Sequence, residues 1–64
     1  MKHSEFWVRM EHHLGVGYAR VWADTQVIGD LENRTPTEAL DAGEMPKRVW
    51  RAVHAYLGLP PSER

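Results

Sequence analysis

The strongest constraint on the fold is the run TPTEALDAGEMPKRVWRAVHAYL, from Thr35 to Leu57, which spells out two helices and the sharp turn between them. Thr35 is placed to be an N-cap. Pro36 occupies the first helical position, where a missing N–H costs nothing, and Glu38 is spaced to close a capping box. Gly43 supplies a left-handed residue to end that helix after Ala42, and Pro46 opens the next one with Glu44 or Met45 at its cap. In the second helix Val49, Trp50, Val53, Tyr56 and Leu57 form an apolar stripe at helical spacing, stopped by Gly58 and the Pro60-Pro61 pair. The opposite face carries Lys47, Arg48, Arg51 and His54.

Sixty-four residues allow one domain, near the lower size limit for an independent apolar core. The chain has no cysteine, which excludes a disulfide framework, a thiolate zinc site and a cysteine nucleophile. The N-terminus, MKHSEFWVRM, lacks the apolar run of a signal peptide, and no stretch approaches the roughly 20 apolar residues of a membrane span. A soluble, intracellular protein without membrane contact is therefore expected, and a reducing cytoplasm fits the absence of cysteine without following from it. The formal net charge of −1 argues against a dedicated nucleic-acid binder, which usually carries a clear basic excess. Only the last helix is locally basic.

Upstream, Ser4 is a plausible N-cap for a first helix whose stripe is Phe6, Trp7, Met10 and Leu14, ended by Gly15. A second helix covers Tyr18 to Ala23, with Tyr18 and Trp22 one turn apart. Extending it to Leu31 would scatter apolar residues around the whole circumference, so a break near Asp24 or Thr25 is expected. A short helix from about Thr25 to Glu32 would then bury Val27, Ile28 and Leu31, despite the cost of Gly29 in a helix interior. These readings give an all-α fold. It is a compact bundle of four or five short helices, the last two in a helix-turn-helix-like arrangement, over residues 1–59. Residues 60–64 form a tail expected to fray. The expected core is Trp7, Met10, Tyr18, Trp22, Ile28, Leu31, Leu40, Val49, Trp50, Val53 and Leu57.

Each chemical constellation has a simpler structural explanation beside it. Ala39, Gly43 and Val49 have the spacing of a DNA-binding helix-turn-helix, but Glu38 and Glu44 stand where apolar residues are usual, and Glu38, Asp41 and Glu44 would repel phosphates. His3, His12, His13 and His54 invite a metal, yet no two are three or four residues apart as a helical chelate requires. No metal or cofactor is expected. Ser4, Thr25 and Thr35 are accounted for as caps, leaving no hydroxyl nucleophile with a base, and a bundle this small has little volume for a concave active site. No enzymatic activity is expected. Val8 and Leu59 lie off the main stripes and are candidates for an exposed docking patch, with Trp7 the tryptophan most open to partial exposure; three buried tryptophans are the simpler expectation.

A family resemblance rests on Glu5-Phe6-Trp7, Arg9-Met10, Tyr18-Ala19, Trp22-Ala23, Val27-Ile28, Arg34-Thr35, Ala39-Leu40, Gly43 and above all Val49-Trp50-Arg51-Ala52-Val53. The chain resembles, from Glu5 to Pro60, a small actinobacterial family of unknown function. Genes of that family often lie beside those for the RecA recombinase and its regulator RecX. The resemblance implies an all-helical cytoplasmic protein and transfers no catalytic residue, cofactor or ligand. Its gene neighbourhood points toward recombination or the DNA-damage response.

The resulting expectation is a small protein-interaction or regulatory module, with Lys47, Arg48, Arg51 and His54 as the candidate binding face and an acidic protein surface as the favoured partner. The alternative is helix-turn-helix-like nucleic-acid binding through the same face. Homodimerisation is a further option, since pairing would cover apolar surface that a small monomer cannot.

Overall fold

The computed structural model describes residues 1–63. The first helix, α1, spans His3–Leu14, and the second, α2, spans Val16–Thr25. Gly15 alone joins them: at φ 89° it accepts the end of α1, donating to the Glu11 carbonyl at 2.8 Å, while its own carbonyl accepts from Ala19. A side chain would strain that backbone. α1 starts two residues earlier than its sequence implies. Lys2 is the N-cap and makes no side-chain cap bond, so Ser4 lies inside the first turn and is not the cap.

The third helix, α3, spans Pro36–Asp41, and the fourth, α4, spans Pro46–Leu57. The capping box is complete, with Thr35 Oγ1 accepting from the Glu38 N–H at 3.1 Å and Glu38 Oε1 accepting from the Thr35 N–H at 2.8 Å. After Ala42, Gly43 at φ 95° donates to the Leu40 carbonyl and Glu44 to the Ala39 carbonyl. This is a Schellman turn, which satisfies the last carbonyls of α3 and reverses the chain. Gly58 ends α4 the same way, with Leu59 donating to the His54 carbonyl, and so brings Leu59 back onto the core.

The expected helix from Thr25 to Glu32 does not form. The helical run ends at Thr25, and residues 26–34 make a tight reversal containing a single 3-10 turn, Gly29–Leu31, followed by Glu32 and Asn33 in left-handed conformation. An antiparallel bridge closes it, the Ile28 N–H donating to the Arg34 carbonyl at 3.1 Å. The physical reason is the Arg34 side chain, whose Nε donates to the Leu31 carbonyl at 3.0 Å and holds the loop from inside. Ile28 and Leu31 are buried by this reversal as by the expected helix, but Val27 is turned out to solvent.

The core is Phe6 and Met10 from α1, Ala19, Trp22 and Ala23 from α2, Ile28 and Leu31 from the loop, Ala39 from α3, and Val49, Trp50, Ala52 and Val53 from α4. Small residues let the helices approach: Ala19, Ala23, Ala39 and Ala52 are all buried. Tyr18, expected inside, is 55% exposed, because Ala19, Trp22 and Ala23 define the inward edge of α2. Trp7, Leu40 and Leu57 are only partly covered. Tyr56 is likewise half exposed; its hydroxyl accepts from Gln26 Nε2 at 2.8 Å and its ring leans on Trp22. Of the tail expected to fray, Pro61–Glu63 form one 3-10 turn and Arg64 lies outside the described residues. No helix among the described residues is long and apolar enough to cross a membrane.

Candidate functional site

The four side chains expected to form one basic face on α4 do three different things. Arg48 is drawn toward the loop: its guanidinium stands 3.4 Å from Glu44 Oε2 and 3.9 Å from Glu32 Oε1, and donates to the Asp30 carbonyl at 3.4 Å. Glu44 is shared, because it also accepts from Arg34 Nη2 at 2.8 Å. Arg34 and Arg48 thus clamp one carboxylate between the loop and the start of α4. Both have their charge offset inside the molecule.

His54 turns toward the chain's end, where Nε2 donates to the Pro60 carbonyl at 2.8 Å and the ring leans edge-on against Trp50. Its role in the structure is to fix the residues after α4.

Lys47 and Arg51 are one turn apart on α4 and exposed. They meet a residue that sequence reasoning did not include, Arg9 of α1. Together with Met1, Glu5 and Trp50 these side chains line a depression of about 300 Å3. A second depression of about 260 Å3 lies on the other side of Arg51, lined by Trp50, Arg51, His54 and Ala55. Arg51 is therefore the ridge between two hollows, and Trp50 lines both. None of Arg9, Lys47 and Arg51 makes an ion pair or side-chain hydrogen bond among the described residues. Arg9 has the signature of a rim position in hindsight: it immediately precedes the buried Met10 and follows Glu5 by four.

Trp50 is held by aromatic contacts rather than polar ones. Phe6 meets it edge-on at 6.4 Å between centroids, and His13 stacks on it at 5.7 Å with the planes 24° apart. The residue is 2% exposed, and its indole Nε1 is buried without an acceptor. Such donors are rare in folded proteins.

The remaining tryptophans behave differently from one another. Trp22 is buried, whereas Trp7 is half-buried beneath Arg20, whose guanidinium carbon lies 3.8 Å from the ring centroid. That cation–π contact covers the ring with a charged group in place of apolar core. Of the two expected docking residues, Val8 is 65% exposed and Leu59 packs against the core. Among the described residues no three histidines, cysteines or carboxylates are grouped to hold a metal ion.

These features define a small all-α bundle with one internally neutralised charged flank and one open cationic flank. The chain belongs to the family described as "Protein of unknown function (DUF3046)", whose model matches residues 1–62. No curated protein and no solved structure matches the chain.

Proposed function

We propose that this domain is a non-catalytic interaction module of the cytoplasm that meets an acidic protein surface through Arg9, Lys47 and Arg51. The observation behind this reading is the division of cations. Arg34 and Arg48 are paired by Glu44 and Glu32, while three cations from two helices converge around Trp50 without an ion-pair partner among the described residues. Like charges held together at a surface favour an anionic partner and speed its encounter. The face therefore differs from the one read on α4 alone: it gains Arg9, keeps Lys47 and Arg51, and leaves Arg48 and His54 with structural work. The resemblance to a family encoded beside RecA and RecX favours a partner in recombination or the DNA-damage response.

Titration with a capped hexaglutamate peptide, followed by amide chemical shifts, tests the face. Shifts should centre on Arg9, Lys47 and Arg51 and vanish in Lys47→Glu plus Arg51→Glu. Shifts scattered over the whole surface, or indifferent to that reversal, would remove these residues from the interface.

The second reading, nucleic-acid binding, draws support from the tight Gly43 turn between α3 and α4 and from Lys47 and Arg51 on the second helix of the pair. In such motifs the first helix crosses the phosphate backbone, and here it carries Glu38 and Asp41. Duplex DNA binding that weakens steeply with salt would favour this reading over the first.

A further inference from the structure

We infer that the Trp50 indole N–H is the hydrogen-bond donor for a carboxylate of an acidic peptide segment seated between Arg9, Lys47 and Arg51. This inference rests on the proposed cationic face and deepens it, by naming the anchor and the chemistry it takes.

The first support is the buried donor itself. Nε1 of Trp50 has no solvent exposure and no acceptor, so the isolated domain carries the full desolvation penalty of that N–H. Nothing in the packing needs the group. The ring is held by aromatic contacts with Phe6, His13 and His54. The unpaired N–H is a cost to the free domain that an incoming acceptor would relieve.

The second support is location. Trp50 lines both hollows beside Arg51, and one of them also holds Arg9 and Lys47. Because Nε1 is sealed, an acceptor reaches it only by displacing a neighbouring side chain. Lys47 and Arg51, exposed and without an ion pair among the described residues, can swing onto an incoming anion. Guanidinium groups bind carboxylates through paired N–H bonds, and an indole N–H shielded from water adds a directed bond to those charges.

Charge selects the occupant. Three cations face one carboxylate, Glu5, which matches a short segment carrying two or three acidic side chains. An extended polyphosphate would need more positive charge than this patch holds, on a domain whose formal net charge is −1. An acidic peptide is therefore the better fit.

The test uses the intact protein and the indole N–H resonances of its three tryptophans, assigned with Trp7→Phe and Trp22→Phe. On adding capped hexaglutamate, the Trp50 indole proton should move downfield and saturate with the amides of Lys47 and Arg51. Trp50→Phe gives up ring volume in the core and should melt below the native protein, and it should bind the peptide at least about tenfold more weakly, the loss of one charge-assisted hydrogen bond. If that variant does not fold, the indole shift of the native protein decides alone. Suppose Lys47→Glu plus Arg51→Glu abolishes binding while the Trp50 indole stays still: the cationic face then stands and the anchor is overturned. Absence of any peptide binding at low salt overturns both. Tighter binding of a short oligothymidine, with the same indole shift, would overturn the peptide assignment in favour of nucleic acid.

Discussion

On one flank of α4 Arg48 lies within 4 Å of two carboxylates, and the nearer, Glu44, is held at 2.8 Å by Arg34 as well; on the other flank Lys47 and Arg51 share a hollow with Arg9 and have no carboxylate partner among the described residues. The same residue types on one twelve-residue helix thus serve two ends. Where cations secure the loop, Glu32 from the loop and Glu44 from the turn before α4 have been brought to them. Where they do not, the one carboxylate lining the same hollow among the described residues is Glu5 of α1, outnumbered by its neighbours. A basic stripe on a helical wheel is consequently not a functional unit until the elements packed beside it are known.

The comparison can be broken from either flank. The largest effect is expected beneath the open one: Trp50→Ala removes the largest fully buried side chain and should cost about 3–5 kcal/mol, enough to unfold a domain of this size. Loss of the cooperative thermal transition in circular dichroism would register it. On the closed flank, Arg34→Ala deletes the bond to the Leu31 carbonyl and the pair with Glu44. Because both partners are about a quarter exposed, a loss of roughly 1–2 kcal/mol in urea unfolding is expected. Thr35→Ala, which opens the capping box next to that loop, should cost about 1 kcal/mol in the same measurement.

Glu32→Gly should act in the opposite sense. Glu32 sits at φ 61°, where glycine is at ease, and its ion pair with Arg48 at 3.9 Å is long and exposed, so a gain of roughly 0.5 kcal/mol is expected. A loss there would mean that the Glu32–Arg48 pair contributes more to the loop than its geometry indicates. The smallest change is expected on the open flank, where Lys47→Gln or Arg51→Gln should leave stability within about 0.5 kcal/mol of the native protein.

What was legible in the sequence was what local rules decide. Thr35, Pro36 and Glu38 cap a helix through neighbours within four residues, and Gly43 and Gly58 end helices through carbonyls within five. The division of α1 from α2 at Gly15 and the break after Thr25 follow from the same kind of signal. The reversal over residues 26–34 was not legible, because it depends on Arg34 reaching back to Leu31 and across to Glu44, and a propensity reading gives a long polar side chain no direction. Tyr18 was misplaced for a related reason: large aromatics dominate a sequence stripe, whereas close helix packing selected the alanines one position away.

The candidate site divided along the same line. Lys47 and Arg51 were visible on the outer face of α4, but that Arg48 is neutralised and Arg9 joins them depends on α1 and the loop lying against opposite flanks. No spacing within α4 encodes that. The buried indole N–H of Trp50 was also out of reach, since an apolar stripe predicts burial without showing which polar atoms go unsatisfied.

Urea unfolding of two double variants tests the division of α4 most directly. Arg34→Gln plus Arg48→Gln should lower stability by about 2 kcal/mol, whereas Lys47→Gln plus Arg51→Gln should stay within about 0.5 kcal/mol of the native protein. Equal losses, or a larger loss from the second pair, would show that the open cations also hold the fold and would contradict the assignment of that flank to a partner.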